Sequence, residues 1–385
     1  MVTPMFLGGA NPKSYTEIRP PSIKGALRFW WRAIQWARIR SALCDSNKAL
    51  AELHNEESAL FGSASGGQSR LLLKVRRPGN RVVVNEGSIL ENVVNRSGAR
   101  YLGYGVMEAR NTLAGKLTRP ALCSPVDVDV EIFGRGTISE DTLDALKLFG
   151  LFGGLGSKVR KGYGSLTLTH LQGSGIEWRA PKTTDEYIDE INKLLSGTRT
   201  LDEIPPFSAF SSAARVCVLL ECDDPLTVLN EYGQQMQRYR SWGNGGMVNG
   251  EPSEENFDDD HDWYYGRPTN ANFHPRRVIF GLPHNYFGKT RGKREVSPEK
   301  LDRRASPLWF HVHDFGEGNS PRYAGIATVL HSQFLPDGEQ INAGGKAVPA
   351  NAKYRVIDGF LDGCVGHRDA KSSDKYFPHA RNVFS

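Results

Sequence analysis

Three cations spaced four residues apart, Lys24, Arg28 and Arg32, lie in the stretch RPPSIKGALRFWWRAIQWARIR, from Arg19 to Arg40. On a helix advancing about 100° per residue they form one stripe, with Trp31 and Gln35 at its border and Arg19 at its head. A cationic strip beside an exposed aromatic edge suits a phosphate backbone and an unstacked base. The plainer alternative is a solvated basic face on an ordinary core helix. A second cluster, Lys158, Arg160, Lys161 and Tyr163, is set among Gly150, Gly153, Gly154, Gly156, Gly162 and Gly164. Glycines let a backbone approach a ligand closely, while the cations supply charge and Tyr163 a stacking face. Its alternative is a tight turn between two core elements. The loop is not a P-loop, because GxxxxGK[ST] is absent and a helix rather than a strand precedes it.

Other residue groups point to less. In Val126–Ile132, valine and isoleucine alternate with Asp127, Asp129 and Glu131, the pattern of a strand with one wet face; a metal site would need further converging ligands. His311 and His313 share a strand face beside Asp314, and one HxH is a weak metal signal against satisfied or surface histidines. The run from Glu254 to Asp262 lacks the spacing of an EF-hand. Cys44, Cys123, Cys217, Cys222 and Cys364 are odd in number and scattered, so reduced and mostly buried thiols are expected. No metal and no cofactor is expected.

The elements that must position these residues follow from periodicity and punctuation. Pro20 and Pro21 close what precedes them, and Ser22 reads as the N-cap of a helix reaching Arg40, with Ile23, Leu27, Trp30, Ile34 and Ala37 as its core line. A second helix is predicted from Ala49 to Leu60, a strand from Arg70 to Val75 with a basic turn at Arg76–Gly79, and a helix from Glu140 to Phe149 capped by Ser139. The glycine-rich loop then runs to a strand around Leu166 and Leu168. Residues 176–206 read as a connector with a helix over Thr184–Leu195. Beyond it come a strand, Arg215–Cys222, a helix, Pro225–Arg240, an exposed polar insertion over 241–272, a basic stretch from Lys289 to Arg304, and strands at 307–314 and 323–335. A helical piece lies near 358–361.

At 385 residues the chain suggests two domains, 1–175 and 207–385. No apolar run approaches the roughly 20 residues of a membrane span, and MVTPMFLGG lacks the basic and apolar regions of a secretory signal. A cytoplasmic protein without membrane partners is expected. The net charge is only +5, yet residues 1–40 hold seven Lys or Arg against Glu17 alone, for +6. A local positive field on a neutral remainder favours one polyanion-binding face.

Taken in order, TPMFLGGA, RPPSIKGALRFWWRA, LFGSASGGQSR, GLGSKVRKGYGSL, FGLP and RRASPLWFHVH resemble the RAMP superfamily, most closely the subunit-one family of type III-B (Cmr) CRISPR effector complexes. The resemblance implies an α+β protein of two ferredoxin-like (RRM-like) RAMP domains with inserted loops and helices. It implies a non-catalytic subunit near the 3′ end of the guide (CRISPR) RNA, helping to hold that RNA and to capture target single-stranded RNA beside the other subunits. Arg19, Lys24, Arg28, Trp31, Arg32, Lys158, Arg160, Lys161 and Tyr163 become the expected RNA contacts, and Gly153, Gly154, Gly156, Gly162 and Gly164 the loop that admits them. Only Met1 and Val2 precede Thr3-Pro4, so the family's first strand is either short here or incomplete. Two alternatives stay open: a metal-independent RAMP endoribonuclease, whose usual histidine position is empty because the first histidine is His54, and a subunit that makes protein contacts only.

Overall fold

Proline at the first helical positions loses no hydrogen bond and brings φ near the helical value. Helix α1 (Pro20–Ala42) accordingly includes both prolines, and Arg19 rather than Ser22 stands at its N-cap, with no side chain capping it. Its expected core line, from Ile23 to Ala37, is buried. The structure, a computed structural model, describes residues 1–385 apart from 10, 12–15, 77–81, 109–114, 174, 243–245, 268, 289–290, 319, 363–375 and 385. Lys13, most of the basic turn (Arg77, Pro78, Gly79), Lys289 and Cys364 lie outside the described residues.

Helix α2 (Ser46–Phe61) starts earlier than the apolar pattern predicts, because the Asp45 carboxylate accepts a hydrogen bond from the Lys48 amide at 2.8 Å. Strand β1 (Leu71–Arg76) pairs antiparallel with β2 (Asp129–Gly134), placing Lys74 opposite Glu131. The acids of β2 therefore lie on a wet face, where Glu131 pairs with Lys74 at 3.3 Å and with Arg76. The strand begins at Asp129 rather than Val126, and Phe133 is exposed. Residues 1–5 join the same half: the Val2 amide donates to Ser165 O and the Gly164 amide to Pro4 O, while Met5 and Leu122 exchange amide bonds, all at 2.9 Å. Helix α3 (Glu140–Phe152) follows Ser139 as expected and runs three residues further. The anticipated strand at Leu166–Leu168 is displaced to a hairpin, His170–Gly173 with Ile176–Arg179, before α4 (Thr184–Leu195).

The second half opens with β3 (Arg215–Cys222) and α5 (Pro225–Arg240), at the limits the sequence predicts. With β4 (Leu308–Asp314), β5 (Tyr323–Val329), α6 (Arg355–Leu361) and β6 (Arg381–Phe384), the chain order becomes β-α-β-β-α-β. The strands form one antiparallel sheet in the spatial order β4-β5-β3-β6. Between α5 and β4, the insertion departs from an exposed loop. Val248, Phe257, Trp263 and Tyr264 are buried, the last two on a helix at Asp258–Tyr265. Asp260 is fully buried and accepts from the Arg276 amide (2.6 Å), the Arg277 amide (3.1 Å) and Nε (2.9 Å), and the Tyr286 hydroxyl (3.1 Å). Few apolar residues suffice here because four donors satisfy the buried carboxylate.

The halves share apolar packing. Trp30 of α1 lies against Phe152, Phe210 and Trp309, with ring centroids 5.6, 6.3 and 5.2 Å away. No helix among the described residues is long and apolar enough to cross a membrane. Of the described cysteines all are unbridged, but only Cys217 is buried and Cys44 is exposed, against the expectation of mostly buried thiols.

Candidate nucleic-acid interface

The glycine-rich loop packs where the two halves meet. A Cβ on Gly153 would lie 2.8 Å from Trp30 Nε1, on Gly154 2.3 Å from Gly164 O, and on Gly156 2.9 Å from Phe6 O. Gly162 turns at φ +82° against Phe310 and Leu229. Thr3 Oγ1 donates to Gly162 O at 2.6 Å and accepts from the Ser165 amide at 3.0 Å. The edge strand β4 is tied to the same segment, its Val312 and Asp314 amides donating to Ser165 Oγ and Thr167 Oγ1 at 3.1 and 3.0 Å. The five glycines thus serve close approach of backbone to backbone and ring. Tyr163 is a correction: it is buried at 1% exposure and donates to Ala99 O at 2.8 Å, so it cannot stack on a base.

Arg160 and Lys161 are carried by a 3-10 turn, Val159–Lys161, with Lys158 at its N-cap, and the cations diverge from it. Arg160 stacks over Trp309 at 4.4 Å and lies 5.6 Å from the Phe29 ring centroid, and it donates to Ser306 O. Burial, with Arg304 nearby, pushes its pKa down to about 9. Lys158 faces Arg119; burial and then that guanidinium push its pKa down. Between these cations and the start of α1 runs a groove of about 350 Å³, lined among others by Ser22, Phe29, Trp309, Arg119, Gly156 and Ser157. Arg19 stands at its edge, donating to Gly8 O at 3.2 Å and pairing with Glu17 at 3.6 Å. Phe29 also lines a second cleft of about 560 Å³ with Arg32, Arg304 and His54. Half-exposed aromatic surface, backbone amides and cations along one trough are the components that grip a single strand.

The stripe on α1 fares differently. Arg32 Nη1 donates to both Glu57 oxygens at 2.9 and 3.1 Å, and Arg28 lies 3.7 Å from the same carboxylate while donating to Gly62 O. Glu57, on α2, is buried at 7% exposure, so these two cations are partly neutralised at the α1–α2 seam. Lys24 is half-buried, and burial, then Arg28, pushes its pKa down. Trp31 corrects the expected exposed aromatic edge: it is buried at 3% exposure, edge-on to Phe61 at 6.2 Å, because α2 covers that arc of α1. His311 and His313 are core residues at 1% and 0% exposure. Burial pushes both pKa values down, that of His313 to about 3, and Tyr187 packs 4.8 Å from the His313 ring. Among the described residues no group of three or more His, Cys, Asp or Glu side chains could hold a metal ion.

The model of the RAMP superfamily matches residues 1–167, the segment that carries α1, α2, α3 and the glycine-rich loop. Over 334 residues the chain is 26% identical to the CRISPR system Cmr subunit Cmr1-1 of Pyrococcus furiosus, covering 84% of each. The fold is that of the apo crystal structure of Cmr1 from the same organism (TM-score 0.53, 20% identity, 100% of this chain and 96% of that one). A further likeness, at TM-score 0.46 and 12% identity, is to a chain in the cryo-EM structure of the type III-B Cmr-beta bound to cognate target RNA, over 94% of this chain and 96% of that one.

Several RAMP-side groups escaped the sequence reading. Periodicity singles out neither Phe29, on which Arg160 packs, nor Glu57, which holds Arg28 and Arg32. Arg119 lies near no motif, and Trp309 and Arg304 reach the RAMP loop only through the docking of β4. Phe29, Arg304 and Trp309 fall within motifs of the resemblance, but no local pattern marks what any of these residues packs against.

The Lys161 side chain is half-buried, and its ammonium has no hydrogen bond or ion pair among the described residues. Burial, reinforced by Arg240, Lys158 and Arg160, pushes its pKa down to about 7. The charged form therefore opposes folding up to that pH, and the penalty fades as pH rises toward the unfolded lysine's value near 10.5, where both states are neutral. Lys161→Met is expected to raise Tm by roughly 2 °C at pH 6, with the gain shrinking by pH 9.5. Melting curves at the two pH values check this; a lower Tm at pH 6 would contradict it.

Proposed function

We propose that the chain is a non-catalytic RNA-binding subunit of a type III-B CRISPR (Cmr) ribonucleoprotein, acting in antiviral defence in the cytoplasm. In this reading it sits near the 3′ end of the guide RNA, helps to hold that RNA and to capture target single-stranded RNA, and contacts the other subunits of the complex. The observation that carries the proposal is the groove between α1 and the glycine-rich loop, lined by Arg119 and the half-exposed Phe29, with Arg160 packed on that ring, Lys158 facing Arg119 and Arg19 bonded to the lining Gly8. Supporting it are the RAMP match and the similarity to a Cmr subunit across most of the chain. Both halves are ferredoxin-like in this reading. The spatial order β6-β3-β5-β4 places the fourth, first, third and second strands of the second half side by side. The first half repeats that order in fragments, with 164–165 beside 1–5, 122 beyond them, and β2 and β1 after it.

Single-stranded RNA binding by the full chain at two salt concentrations tests the proposal. Arg119→Ala/Lys158→Ala is expected to weaken affinity largely irrespective of sequence. It should also flatten the log–log salt dependence by about 1.4, at roughly 0.7 per lost phosphate contact. A variant with the wild-type slope would remove the groove as the binding site. One observation favours the nuclease as a second reading: exposed His54 shares the second cleft with Arg32 and Arg304. A histidine base with cations on a phosphate is the make-up of metal-independent cleavage to a 2′,3′-cyclic phosphate. RNA recovered intact from the binding samples would dispose of it.

A further inference from the structure

Behind the groove, on the other side of the 3-10 turn, three cations gather in a recess of the second half. Lys161 precedes Gly162, which packs against Leu229 of α5, and lies close enough to Arg240 and His284 to interact with both electrostatically; at the C-terminal end of α5 the Arg240 guanidinium sits 3.5 Å from His284 Nδ1 and 4.6 Å over the Phe280 ring. Arg277 lies beneath, its Nη1 donating to Arg240 O at 2.7 Å. Lys161, Arg240, Arg277 and His284 are half-buried. Arg277 is paired with Asp260 at 2.9 Å. Neither Lys161 nor the Arg240 guanidinium has a carboxylate partner among the described residues, and Arg240 Nε is buried without any hydrogen bond. Burial first, then Arg240, Arg277 and Lys161, hold His284 well below its usual pKa, so the imidazole is neutral. Tyr286 and Tyr101 lie near Arg277, and burial pushes the Tyr286 hydroxyl's pKa well up.

Like charges are not held together in a partly desolvated recess without cost, and such arrangements mark sites built for an absent counter-charge. With Lys161 protonated, as a bound anion would favour, the uncompensated charge is +2, from Lys161 and Arg240. A phosphodiester brings one negative charge, whereas a phosphate monoester brings about 1.5 to 2 at pH 7. We propose that the recess formed by Lys161, Arg240 and His284 binds a phosphate monoester. Lys161 and Arg240 neutralise its oxygens, and the neutral His284 donates a ring N–H. The chemistry is shared by the terminal phosphate of an RNA strand and by the phosphate of a free nucleotide; the former deepens the RNA-holding reading and depends on it, whereas the site itself does not.

The test uses the full chain, its Lys161→Met variant, which removes one charge and keeps the apolar stem, and Arg240→Gln. Inorganic phosphate is expected to raise the Tm of the wild type by a few degrees over sodium chloride at equal ionic strength, saturably. Lys161→Met should start higher and lose the phosphate response, and Arg240→Gln should lose the response as well. A wild type that melts identically in phosphate and chloride would overturn the site, as would a Lys161→Met variant that responds like the wild type. To separate the sources, single-stranded RNA carrying a 5′-phosphate, a 3′-phosphate or only hydroxyl ends is compared with AMP. Tighter binding of one phosphorylated end, by about tenfold and absent in Lys161→Met, assigns an RNA terminus. Stabilisation by AMP without any end preference assigns a nucleotide. If the wild type binds no RNA yet responds to phosphate, the RNA-holding reading falls and the site stands.

Discussion

Gly164→Ala is expected to destabilise the protein by roughly 2–5 kcal/mol, enough to leave much of it unfolded or insoluble. Two physical terms add. Gly164 has φ +71°, a left-handed conformation that costs an L-residue about 1–2 kcal/mol. Its missing Cβ would also lie 2.0 Å from the carbonyl oxygen of Leu155, a backbone atom with little room to move. The Gly164 amide donates to Pro4 O and its carbonyl accepts from the Leu155 amide at 3.0 Å, so displacing it loosens the N-terminal strand and the loop together. Gly136 serves as the comparison: it has φ +93° but nothing within 4 Å of an added Cβ. Gly136→Ala should cost only the backbone term. Denaturant unfolding of the two variants checks the account, and equal losses would show that the loop is not packed as described.

Asp260→Ala should cost about 3–5 kcal/mol, because it leaves the Arg277 guanidinium buried and unpaired and orphans two backbone amides. The carboxylate is fully buried and carries bonds from Arg276, Arg277 and Tyr286, which hold the insertion's helix against the turn that leads to His284. Asp260→Asn retains one acceptor oxygen but turns an amide group toward the Arg277 donors, so an intermediate loss is expected. A loss below about 1 kcal/mol for Asp260→Ala, measured by chemical denaturation, would mean that the insertion is not anchored through this residue. The acidic run therefore works partly as internal counter-charge: Glu254 lies 3.5 Å from Arg238 and Asp259 4.0 Å from Arg276.

Local chemistry by itself determined the elements. Periodicity at 3.6 residues placed the core line of α1, and the limits of α4, β3 and α5 follow from caps and strand punctuation that act within a few residues. The order of motifs sufficed to indicate the RAMP resemblance, and the concentration of cations at the N-terminal end and in the glycine-rich loop marked two segments that the fold brings to one groove. What each cation does was decided only by tertiary packing. Arg28 and Arg32 became partners of Glu57 because α2 folds over one arc of α1, and the same packing buried Trp31. Tyr163 turned inward because its hydroxyl finds Ala99 O across 64 residues. Arg160 and Lys161 are adjacent in sequence yet serve different surfaces, since a 3-10 turn at the junction of the halves sends one to Trp309 and the other to Arg240 and His284. Exposure and charge compensation depend on which distant element covers a side chain, and one strand's spacing carries no record of that.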